Sequence, residues 1–337
     1  MSKASKLSQV LRDNFGISVD EQTSEAMLRM AQSKGENGYV QWMSRDGQTF
    51  SPATLTRGRL APGLYEIGIN QSGLYFDKLQ VSTEGILRLP DTSSDAVLNE
   101  IQGFWEKESL FRQYALTYKR GLLLWGPPGS GKTCTVRLVS DDVIKRGGVV
   151  FKFGDPELTA RGLRIFREIQ EDTPCVVLME DLDSILRYNR ETDVINLLDG
   201  VDRIDKVVFL ATTNYPEQLG ERVVNRPSRF DRRYFIGAPN PASRELFFKF
   251  MIDKGGDKKP SVVDIPKWVK DTEGMSIAHL KELFVACVIL DTPYKQAIET
   301  LKSMESLPNS DEYKNTKKMA RVMRVDDYPA EAKIPGY

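Results

Sequence analysis

Gly126-Pro127-Pro128-Gly129-Ser130-Gly131-Lys132-Thr133 decides the fold. The stretch fits the spacing G-x-x-x-x-G-K-[ST]. It stands between an apolar run, Leu122-Leu123-Leu124-Trp125, and a helix-forming stretch, Cys134–Arg146. A strand that turns through glycines into a helix presents backbone N–H groups and a positive helix end to an anion. The glycines let the loop close on a phosphate. Lys132 supplies a cation for the β- and γ-phosphates, and Thr133 a hydroxyl for Mg²⁺. The loop from Gly126 through Cys134 is therefore the expected seat of ATP.

Such a loop needs acids near the metal. Val176-Val177-Leu178-Met179 runs into Glu180-Asp181-Leu182-Asp183, an apolar strand that delivers carboxylates at its C-terminal end, the ligand side of an α/β sheet. Glu180 is expected to hold Mg²⁺, and Asp181 to orient or deprotonate the attacking water. A third apolar run, Val207–Ala211, ends in Thr212-Thr213-Asn214. The Asn214 amide there could polarise the water or touch the γ-phosphate. Four arginines then crowd Asn225-Arg226-Pro227-Ser228-Arg229-Phe230-Asp231-Arg232-Arg233. They are either a solvated basic loop or a source of arginine fingers for a neighbouring subunit's γ-phosphate.

Further apolar runs fall at Gly121–Trp125, Val149–Phe153, Cys175–Met179 and Tyr234–Ile236, with helical stretches between most of them. This alternation predicts a parallel sheet covered on both faces, over residues 96–238. Residues 239–300 read as helical, with Ser276–Leu290 the clearest case, and 301–337 as a charged, proline-containing tail. Upstream, helical spacing marks residues 5–33. A hairpin signal surrounds Arg45-Asp46-Gly47, and Leu64–Ile69 alternates before the turn Gln71-Ser72-Gly73. Residues 1–95 are thus expected to form a small, separate helix-plus-antiparallel-β domain whose aromatics are core.

The chain has 337 residues, with 47 Lys+Arg against 47 Asp+Glu. That balance excludes a generally basic protein held to nucleic acid by phosphate neutralisation, though a local patch stays open. One histidine, His279, excludes His-rich zinc sites. Cys134, Cys175 and Cys287 show no CxxC spacing, so a reducing compartment fits. No apolar run approaches the roughly 18 residues of a membrane span. Met1–Val10 is followed by no apolar signal segment. A cytoplasmic location without membrane contact is the expectation.

These motifs, in this order, resemble an AAA+ ATPase over residues 96 to roughly 290. The resemblance identifies Gly126–Thr133 as Walker A, residues 176–181 as Walker B, Asn214 as sensor 1 and residues 210–233 as the second region of homology. It implies a P-loop NTPase sheet with a helical lid, and a hexameric or heptameric homo-oligomeric ring with ATP at each interface. It also implies trans arginine fingers at Arg226 and Arg229. Tyr118–Gly121, Leu198-Asp199-Gly200-Val201 and Ala211–Tyr215 are most similar to the branch that includes the mitochondrial Rieske-protein translocases. Gly274–Leu280 resembles the sensor 2 region, with Ala278 where other clades carry arginine and His279 read as a packing or lid-polar residue. Three departures stand out. The acids run Glu180-Asp181 rather than Asp-Glu, an order that branch shares. The segment Gly154–Gly162, where protein-threading members carry an aromatic pore loop, holds no aromatic. Residues 1–95 differ from the translocases' own N-terminal part. The expected function is ATP-driven remodelling of a protein client held by the N-terminal domain. The alternatives are a nucleic-acid-associated motor or loader and a nucleotide-gated scaffold with little turnover.

Overall fold

The computed structural model describes residues 41–44, 50–53, 58–71, 73–80, 87–90, 92–199, 204–224, 226, 228–256, 260 and 262–304. The helices expected within 5–33 and the tail beyond 304 lie outside the described residues. The chain divides into two compact units, residues 1–60 and 61–337. In the first, β1 (Gln41–Ser44) pairs antiparallel with β2 (Phe50–Ala53), as the Arg45-Asp46-Gly47 turn signal predicts.

The second unit is built on a seven-stranded sheet. Its strands are β3 (Gly63–Asn70), β4 (Gly73–Leu79), β5 (Lys119–Trp125), β6 (Val149–Lys152), β7 (Cys175–Met179), β8 (Val207–Thr213) and β9 (Arg232–Phe235), in the order β4-β3-β6-β7-β8-β5-β9. All neighbouring pairs are parallel except β3–β4. β7 and β8 are buried along their whole length, which is why they read as unbroken apolar runs rather than alternating ones. The helices are α1 (Thr92–Trp105), α2 (Glu108–Gln113), α3 (Lys132–Lys145), α4 (Pro156–Ile169), α5 (Leu182–Tyr188), α6 (Glu191–Asp199), α7 (Glu221–Val224), α8 (Pro241–Lys254), α9 (Ile265–Asp271), α10 (Ile277–Phe284) and α11 (Tyr294–Met304). The core beneath α1 and α3 joins Val97, Ile101, Phe104, Val136 and Val139 to Leu122, Leu124, Val176 and Val208 of the sheet.

The expected boundary near residue 95 does not match the strand pairing. Leu64–Ile69 was expected to belong to a separate β-domain, but β3 pairs in parallel with β6, Gly63 opposite Val149 through Glu66 opposite Lys152. The hairpin β3–β4 therefore extends the main sheet. Apolar burial decides this. Tyr65 and Phe76 lie 6.4 Å and 5.7 Å from the Phe151 ring, which meets Phe166 of α4 edge-on at 5.1 Å. Alternation marks a strand but not the sheet it joins.

Helices α8 to α11 enclose a second core around Phe248, Trp268, Leu280, Leu283 and Leu301. Trp268 packs edge-on against Phe248 and stacks on Tyr294, whose hydroxyl donates to Asp271 at 2.8 Å. The helix expected over Ser276–Leu290 ends its α-form at Phe284 and continues as a π-turn over Val285–Ile289. Among the described residues, no helix is long and apolar enough to cross a membrane.

Candidate functional site

The site forms where β5, β7 and β8 end. Register places Trp125 opposite Thr213, and Met179 opposite Ala211. The phosphate loop, the acids and Asn214 therefore emerge side by side. Gly126, Gly129 and Gly131 hold φ values of 155°, 73° and 112°, which only glycine adopts without strain. At Gly126 space also forbids a side chain, because a Cβ would stand 2.1 Å from the Ile236 carbonyl oxygen.

Lys132 opens α3 and is buried. Its Nζ donates to the carbonyls of Gly126 at 2.8 Å and Pro127 at 2.9 Å. Burial lowers the ammonium's pKa to about 8, against the opposing pull of Asp181 and Asp183. The Ser130 hydroxyl in the same loop is buried with no hydrogen-bond partner. A buried cation turned back on its own loop, beside an unsatisfied hydroxyl, fits a cradle that completes its bonds with phosphate oxygens. Thr133 stands exposed on the first turn of α3. Among the described residues no group of three or more His, Cys, Asp or Glu converges on a point. Mg²⁺ bound with a nucleotide needs only one or two protein oxygens beside the phosphate oxygens, and the Thr133 hydroxyl and the Glu180 carboxylate are the groups that could supply them.

Asp181 follows β7 in a left-handed conformation, φ 52° and ψ 60°, and its N–H donates to the Thr212 hydroxyl at 3.0 Å. The Asn214 amide donates to the Asp181 carboxylate at 3.4 Å, so the expected base and the expected sensor meet. Asp183, one of the quoted acids but given no role from sequence, is buried and accepts from the Thr213 hydroxyl at 2.7 Å. Thr213 also accepts from the Tyr215 N–H, at 3.0 Å, which fixes the turn carrying Asn214. Glu180 takes a different setting. Burial and the adjoining Asp181 charge raise its pKa, while Arg137 and Lys152 pull it down. The charge interactions of Lys132 thus run to Asp181 and Asp183, and those of Glu180 to Asp181, Arg137 and Lys152.

The two arginines expected as fingers part company. Arg229 is buried, and its Nε and Nη2 each donate to the Asp199 carboxylate at 2.7 Å, while Nη1 donates to the Arg222 carbonyl. It is committed inside its own chain, and its guanidinium is held above the ordinary value chiefly by the Asp199 hydrogen bond. Arg226 has a side chain 66% exposed, with Nη1 3.8 Å from Asp199. Of the expected pair, Arg226 alone is placed to reach outward. Both lie at the far end of the sheet from the phosphate loop. Asp231, just past Arg229, accepts from the N–H of Gly121 at 2.8 Å, and Lys119, which opens β5, donates to the Leu198 carbonyl beside Asp199. The length of β5 separates them from Gly126, about 20 Å at ~3.3 Å per residue.

The lid closes on the loop. A Cβ on Gly129 would stand 2.8 Å from the Ser276 hydroxyl and 3.0 Å from Ala278. Ser276 caps α10 and hydrogen-bonds the His279 ring at 2.7 Å, which gives His279 a capping partner rather than a catalytic one. Between loop and lid lies a cavity of about 300 Å³ lined by Leu87, Leu89, Cys134, Ile236, Met251 and Ile277, among others. Its apolar walls suit a base, and its floor, at Ser130 and Gly131, is the phosphate loop. Leu87 and Leu89 line it because the segment before α1 packs on the lid core.

Residues 122–238 match the AAA family, "ATPase family associated with various cellular activities". Over 236 residues the chain is 28% identical to a probable 26S proteasome regulatory subunit 10B of Caenorhabditis elegans, covering 61% of this chain and 57% of that protein. It is 25% identical over 248 residues to a putative cell division cycle ATPase of Plasmodium falciparum, covering 68% of this chain and 19% of that protein. It is 26% identical over 276 residues to an ATP-dependent zinc metalloprotease FtsH of Acaryochloris marina, covering 75% of this chain and 40% of that protein. The match therefore spans about half or less of each of these relatives. The chain thus carries an AAA ATPase domain over residues 122–238.

Proposed function

We propose that the protein hydrolyses ATP at the interfaces of a homo-oligomeric ring and uses the cycle to remodel a protein client. The observation that carries this reading is that the chain's own phosphate loop and its one outward-facing arginine of the expected pair belong to opposite ends of β5. Arg226 faces Asp199 on the segment that Asp231 fastens to Gly121, so the length of β5, roughly 20 Å, lies between that segment and Gly126. It cannot serve its own nucleotide, yet it is exposed as a finger would be. A neighbouring copy that brings its phosphate loop to this end of the sheet completes one shared site.

In that arrangement Gly126–Thr133 and Cys134 hold the triphosphate, Lys132 turning from its loop carbonyls to the phosphates. Thr133 and Glu180 would hold Mg²⁺, which supplies charge neutralisation on the phosphate oxygens. Asp181, steadied by Asn214, orients the attacking water and takes its proton. Arg226 from the neighbour stabilises the charge that develops on the γ-phosphate. Lid contact at Gly129 couples loop occupancy to the position of α8–α11.

The protein client rests on kinship. Relatives include a proteasome regulatory subunit and an ATP-dependent metalloprotease by name. With one histidine in the chain, the zinc chemistry in the latter's name does not transfer to these residues. Nor does the loop after β6 offer an aromatic grip, since Phe153 is buried and α4 begins at Pro156. Steady-state phosphate release with Arg226→Ala and Asp181→Asn tests the reading. Both variants should bind ATP with near-normal affinity, and the arginine variant should lose about 10³-fold or more in turnover. Undiminished turnover in either would refute the role given to that residue.

A further inference from the structure

A finger works only if the loop that carries it keeps its shape, and this loop takes its shape from outside. Asp231 accepts from the N–H groups of Gly121 at 2.8 Å and Ser228 at 3.3 Å, and its own N–H donates to the Gly121 carbonyl at 2.8 Å. That fastens one end to β5. The other restraint is Asp199, the last residue of α6. Its two oxygens each accept one in-plane bond from Arg229, the fork geometry that fixes both planes. The same Oδ2 lies 3.8 Å from Nη1 of Arg226. One carboxylate therefore grips a buried arginine and faces an exposed one.

We propose that Asp199 is the positioning residue for Arg226. Arg229 locks the carboxylate, and the locked anion holds the exposed guanidinium beside the loop in a fixed direction. The grip on Arg226 is single-ended and solvent-facing, so it is weak. It orients the arginine without withholding it from the stronger charge of a neighbour's triphosphate. Pre-orientation of this kind acts on the chemical step, because it spares the transition state the ordering of a long flexible side chain. The inference rests on the reading of Arg226 as a trans finger.

The test uses the full chain under assembling conditions. Asp199→Asn alone would strand the Arg229 charge in a buried site, so the informative variant is the neutral pair Asp199→Asn with Arg229→Gln. Its melting temperature reports the fold. Turnover should fall by about tenfold or more while KM for ATP stays within about twofold, since loss of an interaction made only in the transition state leaves ground-state binding alone. Adding Arg226→Ala to the neutral pair should cost no more than Arg226→Ala by itself, because the two changes remove one function. Asp199→Glu, which keeps the anion, should recover turnover relative to the neutral pair whatever their relative stabilities. Wild-type turnover in the neutral pair, fully additive losses, or no recovery with glutamate would each overturn the role of Asp199. Should Arg226→Ala itself leave turnover intact, the finger reading fails first and this inference falls with it.

Discussion

At the residue scale the site is a set of polar groups whose partners are already assigned, with a few left open. Ser130 is the open one on the loop, Lys132 is turned onto the Gly126 and Pro127 carbonyls, and among the described residues the Asp181 carboxylate meets the Asn214 amide in one long bond. The three thiols report on this environment. Cys175 lies fully buried in β7, and burial pushes its pKa up to about 12. Cys287 is buried in the lid core. Cys134 is half-buried on the cavity wall beside Thr133. A maleimide at neutral pH should therefore modify Cys134 alone in the native protein, and saturating ATP should slow that reaction. Native labelling of Cys175, counted by mass spectrometry, would contradict the packing described for β7. Asp199 makes a prediction about acid. The hydrogen bond from Arg229 holds its carboxyl below the ordinary value of 3.8. Its stabilising contribution is therefore complete above that value and disappears as pH falls through the lower folded-state pKa. The stability difference between wild type and Asp199→Asn should be constant from about pH 5 to 8 and shrink in stronger acid. A difference that widens on acidification, in urea melts across this range, would remove the ion pair from the account.

At the element scale the Arg226 segment and the phosphate loop belong to the two ends of β5. Gly121 shows how tightly one end is built, since a Cβ there would lie 1.7 Å from the Arg229 carbonyl oxygen. Backbone cannot yield as a side-chain tip can. Gly121→Ala should lower stability by about 2–4 kcal/mol, read from the urea midpoint, and should depress turnover more than ATP binding. A wild-type midpoint would mean that the loop moves freely. The elements of this sheet were legible because buried parallel strands announce themselves as apolar runs. The runs at Cys175–Met179 and Val207–Ala211 become β7 and β8, and the Gly126–Thr133 spacing locates the loop between β5 and α3. Three things were not legible. The parallel pairing of β3 with β6 is set by contacts such as Tyr65 with Phe151, far apart in sequence. Nor could four arginines of one composition reveal that Arg229 would meet Asp199, thirty residues upstream, and be buried by it. The lid's contact with Gly129 through Ser276 was hidden for the same reason.

At the scale of the whole molecule, the described chain holds half of each of two sites. The C-terminal ends of the sheet's strands carry the phosphate loop, Asp181 and Asn214. The opposite end carries Arg226. In the proposed reading each half gains its function from a copy that supplies the other, a contact of the heterologous kind that closes into rings. Ser276 and Ala278, at the start of lid helix α10, sit against Gly129, so a change at the loop has a path to the lid of the same copy. The most direct test mixes two inactive variants. Lys132→Ala subunits cannot hold a triphosphate productively but still offer Arg226, and Arg226→Ala subunits hold the triphosphate but offer no finger. Each alone should be nearly inactive, and their equimolar mixture should regain turnover at the interfaces that join an intact loop to an intact finger, about a quarter of them for random assembly into a ring. A mixture no more active than the average of its two components would contradict the shared site.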